Sequence, residues 1–232
     1  MRFLRPVLAE LPLLPWRLMR TRLGLWLGLL MAGLWWLEQG DPATDPVGIA
    51  VLAGTLGAVL CVAALAGSAA DRAALAHRLL HPTTPLAIAT GRWLAAVCGA
   101  SSLVAIVAGH AAWSTGASLT YAGAAAAGLA AAAAVSAAVL ALVWIGGNLL
   151  AVLAFAWLFL VSALPPEALI GLWHGGVLAL IGAGILEIGP SIWRYRGIAI
   201  GDLGGAAHAA AWIAVGLGIA TWRAARLGAR RL

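Results

Sequence analysis

The side chains best suited to chemistry in this 232-residue sequence are five histidines, two cysteines and eight carboxylates. His77 and His81 stand four residues apart, a spacing that turns both rings to one face of a helix, as metal sites use. No cysteine or third histidine lies near them and Pro82 follows, so contact with a surface or partner is preferred and no metal is expected. His110, His174 and His208 fall in or beside separate apolar stretches, with Glu187 in the same region as His174. An ionisable group at membrane depth is costly and commonly functional. His110, His174, Glu187 and His208 are therefore the candidate lining of an outer gate or substrate path. Two other readings stay open: axial imidazoles for a haem, or three unrelated histidines bonded to nearby backbone.

Several chemistries have no residues to carry them. All 14 basic residues are arginine, so there is neither a Walker A lysine nor a Schiff-base lysine. Any ATP chemistry must come from another chain. Cys61 and Cys98 sit inside apolar segments with no CxxC, and read as small buried hydrophobes. No Ser-His-Asp, paired-carboxylate or H-E-x-x-H arrangement is supported, so catalysis by this chain is not expected.

The elements that must position these residues are membrane helices. Hydrophobic residues make up 63% of the sequence and charged ones 9%, against about 25% in soluble domains. The mean hydropathy is +1.00. The net charge of +6 does not form a basic face for nucleic acid, because nine arginines lie in the two termini and three more in one loop. That is the positive-inside pattern of a polytopic membrane protein.

Residues 1–22 are not a signal peptide: five arginines are spread through them, Pro6, Pro12 and Pro15 interrupt them, and no cleavage site follows. They read as an amphipathic segment on the membrane surface. Residues 23–232 form a single transmembrane domain. Apolar stretches follow at about 23–37, 47–70, 94–113, 121–145, 148–164, 168–186 and 203–222. Two arginine-rich termini in the cytoplasm require an even number of crossings. Loop 38–46 is acidic and lies outside, whereas loop 71–93 carries Arg72, Arg78 and Arg92 and lies inside. The segment 168–202, rich in glycine, is therefore expected to be an outer re-entrant hairpin. The expected fold is all-α: six transmembrane helices, an N-terminal surface helix and an outer hairpin before the last crossing. Trp35, Trp36 and Trp113 fall at outer ends, and Trp16, Trp93, Trp144 and Trp222 at inner ends, as interface belts do. The alanine-rich stretch 121–145 reads as a tightly packed helix inside the bundle.

Loop 71–93 is the most informative polar piece. Leu75 and Leu79 share one helical stripe bordered by Leu80, with Arg72, His77, Arg78 and His81 polar, and Pro82 and Pro85 stop the helix. The run Leu79-Leu80-His81-Pro82-Thr83-Thr84-Pro85, followed by Gly91-Arg92 opening the next span, resembles the corresponding segment of type-2 ABC exporter permeases. The family's glutamate-rich approach is reduced here to Asp71-Arg72, and Thr83-Thr84-Pro85 replaces its usual Ser-Pro-x-Ser. The resemblance implies a coupling helix that carries Arg72, Leu75, Arg78, Leu79, Leu80, His81 and Pro82 and docks on a separate ATP-binding cassette ATPase. ATP and magnesium would be bound by that partner, with no cofactor in this chain. It also implies a second permease copy, identical or different; the expected location is a bacterial inner membrane, and the arginine distribution places both termini in the cytoplasm. The alternative is a haem-handling membrane protein, either the haem-exporter subunit of cytochrome c maturation or a haem b anchor of an electron-transfer complex. A structural assembly subunit is a third reading.

Overall fold

The computed structural model describes residues 45–66, 83–115, 118–147 and 189–229, with short pieces at 7–9, 11–12, 33, 149–150, 153, 176–177 and 181. Among the described residues every regular element is helical and there is no strand. The elements are α1 (Pro46–Ala66), α2 (Pro85–Thr115), α3 (Ser118–Gly146), α4 (Ile192–Gly197), a 3-10 turn (Ile198–Ile200) and α5 (Leu203–Ala229). Four of them, α1, α2, α3 and α5, are long and apolar enough to cross a membrane. At 1.5 Å per residue the 31 residues of α2 reach about 46 Å, well beyond the ~30 Å hydrocarbon core.

Three helix starts use the same local device. Asp45 precedes Pro46 and its Oδ1 accepts the Val47 N–H at 3.0 Å. Thr84 precedes Pro85 and its Oγ1 accepts the Ala87 N–H at 3.2 Å. Asp202 accepts the Gly204 N–H at 2.8 Å and the Gly205 N–H at 3.1 Å. Each side-chain oxygen satisfies a main-chain donor that the helix leaves orphaned, and proline at the first helical position needs no such partner. The turn before α5 closes through Gly201, whose φ of +87° is a left-handed conformation that side chains with a Cβ rarely adopt.

Helix α3 is the axle of the bundle, and every other described helix packs on it. In its most apolar stretch 72% of residues are buried, and 78% in α1, against 39% for α2 and 22% for α5. The first pair is interior; the second is peripheral. The reason lies in residue size. Lipid tails are as apolar as leucine, so helices associate in a bilayer by close packing, and small residues allow the closest approach. Ala50, Gly54 and Ala58 on α1 face Ala124, Gly128 and Ala132 on α3, spaced four apart and all buried. A Cβ on Gly128 would stand 2.7 Å from the Ala50 carbonyl oxygen, and one on Gly54 would overlap the Gly128 carbonyl. The two backbones touch with no side chain between them. The reading of 121–145 as a tightly packed interior helix holds.

The sequence reading differs from the structure in three places. The loop expected at 71–93 is helical from Pro85 onward, so α2 starts well before residue 94. Gly91 and Arg92 lower the local hydropathy, but the Thr84 cap begins the helix and Arg92 lies inside the bundle, 2% exposed. Trp144 is not in an interface belt: at 1% exposure it is a core residue. Cys98 is exposed on α2, whereas Cys61 is buried as expected; both are free thiols. Most of the segments 1–22 and 23–37, the remainder of loop 71–93 up to residue 82, and most of 148–164 and 168–188 lie outside the described residues.

Candidate functional site

The helices define two ends. The starts of α1, α3 and α5 share one end with α4, because Arg196 of α4 pairs with Asp45, and Gly123 of α3 packs on Ala199 of the 3-10 turn. By connectivity the end of α2, with His110, lies there too. Arg92, Trp144 and Arg223 mark the opposite end.

At the Asp45 end, Asp45 caps α1 and also pairs with Arg196, which latches α4 across the bundle. The pair is nearly half exposed on both sides, so its worth is only on the order of 0.5 kcal/mol and its role is orientation. Beneath it Tyr195 is fully buried, with its ring 5.8 Å from that of His208. Among the described residues the Tyr195 hydroxyl has no hydrogen-bond partner. Burial pushes this phenol well above the ordinary tyrosine range, with the neighbouring Arg194 charge pulling weakly the other way. Tyr195 is therefore a neutral donor at any physiological pH. Of the residues expected to line an outer path, His110 and His208 share this end, while His174 and Glu187 lie outside the described residues.

At the other end, Arg92 lies with its Cζ 5.7 Å from the centroid of the Trp144 ring, in cation–π range. The Arg223 Nε–H donates to the Trp144 carbonyl at 3.1 Å, near the C-terminus of α3 where the helix dipole favours a cation. Nearer the middle of α3, the Trp93 indole donates to the Ala133 carbonyl at 2.9 Å. Three helices, α2, α3 and α5, are thus tied together around Trp144. Arg226 stacks on the exposed Trp222 at 4.2 Å. The residues expected to form a coupling helix, Arg72, Leu75, Arg78, Leu79, Leu80, His81 and Pro82, lie outside the described residues.

Between the second half of α3 and α5 is a half-enclosed cavity of about 430 Å³, whose described lining residues are all apolar, among them Leu142, Ile145, Leu153, Trp212, Gly216 and Ile219. Nothing in the sequence pattern signals it, because its lining is ordinary span composition. Among the described residues no group of three or more His, Cys, Asp or Glu could hold a metal ion. No protein-family model, curated protein or solved structure matches this chain.

Proposed function

We propose that this chain is the membrane-spanning permease subunit of an ABC-type exporter, driven by separate ATPase subunits. Its resemblance to type-2 exporter permeases between Leu79 and Arg92 motivates the reading. The observation that carries it is mechanical continuity. The end of the resembling segment is not a slack loop: Thr84 caps α2, and one rigid helix runs from Pro85 past Arg92, which is seated against Trp144. A push on residues 71–85 would therefore reach α3 and, through the Arg223 bond, α5. A coupling element needs that connection. In this reading two permease copies sit in a bacterial inner membrane, each with six crossings and cytoplasmic termini, and the Trp144 end faces the cytoplasm. Residues 168–202 form the outer hairpin, with His110, His174, Glu187 and His208 around the exit.

Affinity purification of the tagged chain from its native host's membranes tests the proposal. Co-purification of a protein with a Walker A motif is expected, and its loss when Leu79 and Leu80 are both changed to Asp. Charge in a packed apolar contact costs several kcal/mol, enough to abolish docking. Absence of any such ATPase, or retention by the double variant of both the ATPase and transport, would overturn the assignment.

A further inference from the structure

The apolar cavity and the arginines at the Trp144 end form one continuous feature. Ile219, which lines the cavity, and Arg223 are four residues apart on α5 and so lie on one face of that helix. Ile145, on the cavity's α3 side, follows Trp144, whose carbonyl accepts the Arg223 N–H. Arg223 therefore stands at the end of the cavity, with Arg226 one turn further on over Trp222. Among the described residues this end carries Arg92, Arg223 and Arg226 and no acid; the described acids, Asp45 and Asp202, are both at the other end.

Two properties narrow the occupant. The volume of about 430 Å³ falls within the roughly 300–1,000 Å³ of small-ligand sites, yet no described lining residue offers a charge or hydroxyl. A polar solute would lose its hydration without replacement, so the cavity suits a hydrocarbon chain. The guanidinium groups at its end suit a phosphate, as basic pockets at helix ends in membranes do. We propose that this feature is a binding site for one anionic phospholipid of the surrounding leaflet, with an acyl chain in the cavity between α3 and α5 and its phosphate on Arg223 and Arg226. The site lies at the opposite end of the bundle from His208 and does not depend on the exporter reading. It places a lipid against the helix-to-helix tie at Trp144, where occupancy holds α5 on α3.

Native mass spectrometry of the delipidated full-length protein with added phosphatidylglycerol or phosphatidylcholine of identical acyl chains tests this. One tightly held phosphatidylglycerol per chain is expected, with a preference over phosphatidylcholine on the order of tenfold. The R223Q/R226Q variant should lose the preference and keep weak binding of both lipids. The L142W variant, which fills the cavity from a half-buried position, should lose retention of both. If L142W fails to give a monodisperse helical protein, I219W makes the same test from α5. Equal retention of the two lipids by the native protein overturns the headgroup assignment. Undiminished retention after the cavity is filled overturns the acyl-chain assignment.

Discussion

Arg223 near the end of α5 donates its Nε–H to the main-chain carbonyl of Trp144 at 3.1 Å, while Arg92 of α2 lies over the ring of the same tryptophan. Trp144 is thus held from two directions: one cation reads its backbone and the other its π face. A double-mutant cycle between Arg92→Leu and Trp144→Leu, followed by thermal unfolding in mild detergent, should return a coupling of about 1–2 kcal/mol. Additive losses would mean that the ring contact carries no energy.

Changing Gly128 to Leu puts a side chain where the α1 backbone already stands. Overpacking of this kind costs about 1–3 kcal/mol or more, and here backbone rather than a flexible side chain must yield. A lowered Tm and a smaller monodisperse fraction are expected. Gly218→Leu is the control, since a Cβ there meets nothing within 4 Å. Equal behaviour of the two variants would remove the α1–α3 contact from the account.

Asp202→Ala removes the acceptor for two N–H groups at the start of α5. A loss of about 1 kcal/mol is expected, with Asp202→Asn keeping most of the stability. Hydrogen exchange at residues 204–206 localises the effect: faster exchange confined to that turn is the expected pattern, and uniform change across α5 is the contrary one.

Tyr195→Phe should stabilise the protein by about 1 kcal/mol, because it deletes a buried hydroxyl that has no partner among the described residues. The sign of the pH effect follows from the raised folded-state pKa. The phenol is neutral in both states below the ordinary tyrosine range of about 10, so its contribution there is constant. Above that range the unfolded chain ionises first, and stability is lost as pH rises. The Phe variant should show a shallower alkaline decline. A decline as steep as that of the parent protein would assign the titration elsewhere.

Cys98 should react with a maleimide in mild detergent, and Cys61 only after denaturation. Intact mass should therefore show one adduct natively and two in dodecyl sulfate. After both are replaced, a cysteine at 201 should label from the same side of the membrane as one at 45 and opposite to one at 226. Labelling of 201 and 226 from one side would break the arrangement of α5.

Hydropathy alone locates α1, α3 and α5, because each is apolar over a bilayer's thickness. The start of α2 is harder, since proline both ends helices and begins them. Only the preceding Thr84, a capping residue, distinguishes the two cases, and that signal is present in the sequence. Asp45-Pro46 carries the same signal, although as a loop acid Asp45 reads first as an orientation marker. The burial of Arg92 is not legible. A charge at the edge of an apolar run looks like a loop, and the ring that receives it is on another helix. Tyr195 is hidden for a similar reason: its burial depends on how α4 folds back over α5, which no local pattern records. His110 and His208 are legible as residues sharing one end, but the tyrosine packed on His208 is not.

The seam between Gly54 and Gly128 also bears on how this bundle can move. Side chains between helices act as a bearing: they hop between rotamers and let one cylinder roll or slide on the other at small cost. Where main chain rests on main chain, there is nothing to hop, and any rolling drives a carbonyl into the opposite helix. Helices α1 and α3 therefore behave as a single stator. Helix α5 joins that frame, since a Cβ on Gly216 would stand 2.6 Å from the Ala137 carbonyl oxygen of α3, and relative motion falls to α2, levered from its capped start. Rearrangement should be sought in the angle of that helix, measured against a fixed frame of α1, α3 and α5.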